Sequence, residues 1–260
     1  VSYSRKNYTF PEEQKYPHTS YQSEVAFLSS YFPDGSAHVL GPLNHDHWYI
    51  YAWDADIHEL PGGPTHNYAL EEPGANESTL QVLMQDMHPS VAQQFFKGDD
   101  SSMTSRRMTI ESGIRDLVPG AVIDDFAFDP CGYSMNGILF DAYYTIHITP
   151  ESDCSYVSFE TNARLRSYES LIKNVLRCFR PAKYSVSVYT DRNALEAGKA
   201  NMFAQDLLKI DDDLLYKRKG GYTQATFEGD YMCRMANFAI SDKRPMLSRA
   251  AHKHRSPSFA

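Results

Sequence analysis

The chain has 260 residues, of which 42% are hydrophobic and 22% charged, with 18 Tyr and 14 Phe. That suffices for one large domain whose core needs no disulfide staples, and the aromatic content argues against a disordered chain. Net charge is −8; the last twenty residues hold five bases against Asp242 alone, which leaves the first 240 residues at −12. A body that acidic argues against duplex nucleic acid or an anionic membrane as the main partner and suits a small cationic ligand.

The four cysteines (131, 154, 178 and 233) are scattered and form no Cys-x-x-Cys pair. They read as reduced thiols, which fits a cytoplasmic protein. No apolar run approaches the roughly 18 residues of a membrane span. The sequence opens on Val1 rather than Met, so a processed subunit or a fragment is expected.

In chain order, Tyr21, Val25, Leu28 and Phe32 mark a helix closed by Pro33. His45-Asp46-His47 puts two imidazoles on one strand face, but no third ligand is evident and no metal site is expected. Trp48–Trp53 reads as a strand, and Glu59–Asn76 as a Pro/Gly-rich loop. Leu80, Leu83, Met84 and Met87 fit a helix running from near Ser78 to Pro89. Asn136-Gly137 predicts a hairpin turn.

Two alternating segments follow. Ile146 and Ile148 alternate with Thr145, His147 and Thr149; Val157 and Phe159 alternate with Tyr156, Ser158 and Glu160. Each has one buried and one polar face. Paired as a hairpin, they set His147 opposite Ser158 and Thr145 opposite Glu160, so that His147 and Glu160 share a polar face. Leu171, Ile172, Val175, Leu176 and Phe179 form the strongest helical stripe, with Ser167 as N-cap and Pro181 beyond the end. Tyr184, Val186 and Val188 alternate with Ser185, Ser187 and Tyr189 in a further strand. The class is α+β, an antiparallel sheet with helices outside. One domain is expected over 1–240, with a flexible basic tail at 241–260.

The residues alone leave the chemistry open. Ser134 with His147 suggests a hydrolase only weakly, because no Gly-x-Ser-x-Gly elbow surrounds the Ser. A strand His is more often structural, Phe128 more often core, Cys131 more often a small buried hydrophobe, and Glu151 more often a solvated charge. Gly62-Gly63 matches no phosphate or dinucleotide loop. The tail carries a single aromatic, Phe259, and no stacking series, so no nucleic-acid partner is expected.

The run Phe128-Asp129-Pro130-Cys131-Gly132-Tyr133-Ser134-Met135-Asn136-Gly137 resembles the core of the eukaryotic S-adenosylmethionine decarboxylases. So do Thr145–Glu151, Ser155–Asn162, Glu111–Gly120 and Tyr3–Asn7, and the likeness extends in order from Tyr3 to Ile240. The resemblance implies a four-layer αββα sandwich of two antiparallel sheets with outer helices. It implies decarboxylation of S-adenosylmethionine for spermidine and spermine synthesis, with a covalent pyruvoyl cofactor cut from an internal Ser. Decarboxylation leaves a carbanion at Cα, and a ketone attached to the protein serves as its electron sink.

By the same likeness, Phe128 stacks on adenine and Glu151 accepts from the ribose hydroxyls, while Ser134 and His147 are the self-processing pair, His147 as base. Glu77, Thr79, Gln81 and Glu160 match an internal activator site that binds putrescine in some members, with Arg5 and Tyr231 nearby. Gln81 stands where the responsive pattern carries an acid, which weakens the case for a diamine. Glu-Ser steps occur at 77, 111, 151 and 169, and none continues into a second Ser. The family's Glu-Ser-Ser cleavage motif, its proton-donor Cys and a second adenine-stacking aromatic therefore have no match here. The expectation is a C-terminal fragment of a proenzyme, not competent by itself, whose partners are the substrate, the N-terminal chain of the same proenzyme and a second copy in a homodimer. A non-catalytic subunit that activates a related decarboxylase is the alternative.

Overall fold

The computed structural model describes residues 1–53, 78–97, 104–163, 165, 167–191, 216–227 and 231–240. Glu77, the 59–76 loop and the 241–260 tail lie outside them. The strands and helices are β1 (Ser2–Lys6), α1 (Tyr21–Ser29), β2 (Ser36–Leu40), β3 (Trp48–Ala52), β4 (Ser78–Met87), α2 (Pro89–Ala92), α3 (Ser105–Glu111), β5 (Val122–Ala127), β6 (Tyr133–Leu139), β7 (Ala142–Thr149), β8 (Tyr156–Thr161), α4 (Glu169–Phe179), β9 (Pro181–Asp191), β10 (Tyr216–Thr226) and β11 (Tyr231–Ile240).

Two antiparallel sheets result. The small one runs β1-β3-β2, the large one β10-β11-β9-β4-β8-β7-β6-β5. Strand alternation gives the large sheet two unlike faces. One carries Leu80, Val82, Met84, Ile146, Phe159 and Val186, all wholly buried, and packs against α4 through Ile172, Val175 and Phe179. Each such side chain contributes about 1.5–3 kcal/mol on leaving water, so this layer holds the main core. The small sheet covers the β9–β11 end of the other face, where Leu40, Trp48 and Ile50 meet Tyr189, Cys233 and Met235. Helix α1 packs on the far side of the small sheet: Tyr21 donates to the Ile50 carbonyl and stacks on Tyr49, and Tyr51 donates to the Phe32 carbonyl. The order is helices, large sheet, small sheet, helix, an αββα sandwich.

The expected hairpin of β7 and β8 is present in the expected register, with His147 opposite Ser158 and Thr145 opposite Glu160. The α4 stripe is buried as expected. The cap differs by one residue: Tyr168 is the N-cap, and Ser167 Oγ accepts from the Glu169 amide instead. At the other end Arg180 takes the left-handed conformation, φ 47°, and Pro181 stops the helix.

Two local expectations are overturned. Residues 78–87 are strand, not helix. Leu80, Val82 and Met84 also alternate, and ladders to β8 on one side and β9 on the other favour that period over the helical spacing. Asn136-Gly137 lies inside β6 rather than at a turn; the chain reverses at Phe140-Asp141, between the paired Leu139 and Ala142. Phe140 supplies the positive φ of 56°. Gly137 is there because the Tyr144 ring lies directly over it: a Cβ would sit 2.1 Å from Tyr144 Cε1. The polar face of β9 is turned inward. Ser185 and Ser187 are buried between the sheets, bonded to Asn237 and Gln81. No helix among the described residues is long and apolar enough to cross a membrane.

Candidate active site

The β5–β8 end of the large sheet's polar face carries the sequence-predicted residues. Residues 128–132 form a tight loop: the Phe128 amide donates to the Gly132 carbonyl, and the Gly132 amide to the Phe95 carbonyl, both at 3.0 Å. Gly132 has φ 108°, and a Cβ there would lie 3.5 Å from the Phe128 ring. Glycine thus fits both the backbone conformation and the close approach. Beyond the loop, Tyr133 drops into the core on the helix side and its hydroxyl lies 2.7 Å from Thr109 Oγ1. Burying Tyr133 forces Ser134 to the opposite face.

There Ser134 Oγ lies 2.9 Å from Nδ1 of His147, its cross-strand partner on β7. The pair is exposed. On Ser134's other side is Phe126 of β5, 60% exposed. Phe126 meets Phe128 edge-on, ring centroids 4.9 Å apart at 69°. Phe128 is 46% exposed, so it is not the core residue that an isolated Phe suggests. Glu151 follows β7 and is exposed. It hydrogen-bonds the Cys131 thiol, whose pKa is pushed up by burial and by the Glu151 charge. The carboxylate is therefore held against the 128–132 loop. Ser134, His147, Phe128 and Glu151, contributed by a loop, two strands and a strand end, belong to one patch.

Further along the same face lies a half-buried polar cluster. Gln81 Nε2 donates to Glu160 Oε2 at 2.7 Å, and Tyr143 donates to Glu160 Oε1 at 2.7 Å. Ser187 donates to Gln81 Oε1 at 3.2 Å. Tyr143 also bonds Thr79, and its pKa is raised by burial, by its bond to Glu160 and by that carboxylate's charge. Tyr231 is near enough to interact with it. Tyr143 and Ser187 were missed in the sequence, although strand alternation places both on the polar face.

Arg5 is not in this cluster. It pairs with Glu24 of α1, Nε to both carboxylate oxygens at 2.7 and 2.8 Å, and lies between the Tyr8 and Tyr49 rings. Register explains this: Arg5 is opposite Tyr49 on β3, on the face turned to α1, away from the large sheet. His47 is likewise engaged, with Nδ1 2.7 Å from the His45 carbonyl and Nε2 3.0 Å from Tyr49 Oη. It precedes β3 rather than sharing a strand face with His45.

The sequence profile of the family described as adenosylmethionine decarboxylase matches residues 1–239. The S-adenosylmethionine decarboxylase proenzyme of Dictyostelium discoideum is 40% identical over 244 residues, 93% of this chain and 60% of the relative. Those of Xenopus laevis and Drosophila melanogaster are 43% and 42% identical, across 74% of this chain in both cases and 53% and 55% of theirs. The chain thus spans little more than half the length of the curated relatives it matches. Among solved structures, the Trypanosoma brucei AdoMetDC-delta26 monomer superposes with a TM-score of 0.64 at 24% identity, covering 93% of this chain and 84% of that one, which shows the shared fold. With a profile match over nearly its whole length and relatives at this identity, the chain belongs to the adenosylmethionine decarboxylase family.

Proposed function

We propose that this chain supplies the substrate-binding and self-processing face of a decarboxylase acting on S-adenosylmethionine. The observation that carries the reading is the exposed Ser134–His147 pair, flanked on one sheet face by an exposed aromatic pair and a carboxylate. This arrangement suits a ligand with a flat base, a diol, a cation and a reacting end. Phe128 takes the purine by stacking. Glu151, an acceptor-only group, takes the ribose hydroxyls. The reading also fits the acidic charge balance of the chain.

The cofactor proposed is a pyruvoyl group cut from the polypeptide; when formed, it supplies the electron sink for the carbanion. An exposed hydroxyl–imidazole pair on rigid strands fits the proton handling that such self-processing requires. In the tautomer whose Nδ1–H donates to Ser134 Oγ, Nε2 keeps a free lone pair with which to take a proton, and Ser134 holds the ring in one orientation. Val122 and Ile138, paired across β5 and β6, are 78% and 60% exposed on this same face. A further part of the proenzyme is proposed to cover them, since the relatives are longer. Glu160, Gln81, Tyr143 and Thr79 occupy the place of the activator site expected from the family likeness, and with Gln81 instead of a second acid this chain is proposed not to respond to putrescine.

The test is release of labelled CO2 from carboxyl-labelled S-adenosylmethionine by the complete gene product, purified without any relative. Release supports the reading. No release alone, with stimulation of a related decarboxylase on mixing, assigns the chain to a non-catalytic activating subunit instead.

A further inference from the structure

Glu151 reaches the patch from a turn rather than from a strand. β7 ends at Thr149, and the residues from Glu151 to Cys154 are exposed. Within the turn the Cys154 amide donates to the Glu151 carbonyl at 3.2 Å. That bond acts on the backbone and leaves the side-chain torsions unset. A glutamate has several such torsions, and a ligand that has to fix them loses affinity in doing so. The Glu151 carboxylate, however, already accepts a hydrogen bond from the Cys131 thiol.

Cys131 is firmly anchored. Its backbone bridges Phe96. On either side, the Lys97 amide donates to the Pro130 carbonyl at 2.9 Å and the Gly132 amide to the Phe95 carbonyl at 3.0 Å. Phe95 is wholly buried, its ring centroid 5.7 Å from that of Tyr133 and 6.4 Å from that of Phe179. The thiol is therefore tied to the main core through the chain behind it. Its raised pKa keeps the proton on sulfur, so it remains a donor beside an ionised carboxylate. A carboxylate has lone pairs to spare, and a single thiol leaves the rest for a ligand.

We propose that Cys131 is a positioning residue, whose thiol fixes the Glu151 carboxylate in the orientation that accepts a vicinal diol. This rests on the reading of Glu151 as the acceptor for the ribose hydroxyls.

The test is equilibrium binding by the complete gene product of two neutral nucleosides: 5′-methylthioadenosine, which carries the diol, and its 2′,3′-dideoxy counterpart, which lacks it. Cys131→Ala is expected to weaken the diol about 2- to 10-fold and to change the dideoxy compound by less than about 2-fold. Cys131→Ser, which puts a hydroxyl donor on the same Cβ, is expected to recover most of the lost affinity. In a Glu151→Gln background, Cys131→Ala is expected to have no further effect on either nucleoside, since a residue that acts through the carboxylate has nothing left to act on. Equal weakening of both nucleosides by Cys131→Ala, no weakening of either, or the same loss in both backgrounds overturns the proposal. If Glu151→Gln alone leaves diol binding unchanged, the reading of Glu151 fails and the proposal falls with it; that result appears with Cys131 intact and is distinct from the other three.

Discussion

Gln81 of β4 and Glu160 of β8 are direct cross-strand partners, and the amide of the first donates to the carboxylate of the second at 2.7 Å. With Tyr143 on the other oxygen, a carboxylate that is mostly withdrawn from water has neutral donors on both sides. A glutamine thus does locally what a bound cation does elsewhere, by satisfying the acceptor without adding charge.

Gln81→Glu sets two carboxylates against each other in this site. The expected result is a stability loss of about 1–3 kcal/mol, with one carboxyl shifted upward by its neighbour. Added putrescine is expected to raise the melting temperature of this variant and leave the wild type unchanged. Thermal melts with and without the diamine check this; equal responses in both proteins contradict it.

Gly137 faces the ring of Tyr144, which is 1% exposed and fixed in the core. A Cβ 2.1 Å from Tyr144 Cε1 cannot be accommodated without moving that ring or the strand. Gly137→Ala is expected to cost about 2–3 kcal/mol, at the upper end for overpacking. Denaturant unfolding reads it, and Gly221→Ala is the control, since nothing lies within 4 Å of a Cβ there.

Glu24, 2% exposed, joins β1 to α1 through Arg5, with Tyr3 Oη at 3.0 Å and His18 Nδ1 at 2.8 Å. Burial alone would raise its pKa, but the hydrogen bonds from Arg5 and His18 and the Arg5 charge outweigh burial and hold it below the usual carboxylate range. A folded-state pKa below the unfolded one gives stability that is full above the unfolded value and is lost as pH falls through the depressed one. Glu24→Gln is therefore expected to lose about 2–4 kcal/mol near neutral pH, and the gap to the wild type is expected to close in acid. Unfolding curves measured from pH 7 down to pH 3 check the sign.

Glu151 is exposed and contributes little to folding, so its substitution reads function. Glu151→Gln is expected to be processed normally and to raise KM for S-adenosylmethionine about 10- to 100-fold, the loss of charged hydrogen bonds to a diol. An unchanged KM removes Glu151 from the substrate site.

Strict alternation and the tight turn between the strands made the β7–β8 register legible in advance: with one face apolar, period two excludes odd shifts, and the turn fixes which even one is taken. The same logic failed at 78–87, where Leu80, Leu83, Met84 and Met87 satisfy the helical period while Leu80, Val82 and Met84 satisfy the other; only pairing on both edges decides between them. Asn136-Gly137 misled because its glycine serves a ring 7 residues away rather than a turn. Family likeness, not pattern, singled out Ser134, His147, Phe128 and Glu151. Residue types alone could not have gathered positions from a loop, two strands and a strand end onto one patch. Phe126, Tyr143 and the Arg5–Glu24 pair became visible only with the register and the side-chain contacts in place.

The Ser134–His147 contact is tested most directly by the chain composition of the complete gene product. Intact-mass analysis of the wild type is expected to show two chains, and His147→Ala a single uncut proenzyme with native-like melting. A His147→Ala protein cut to the same extent as the wild type contradicts the role assigned to this pair.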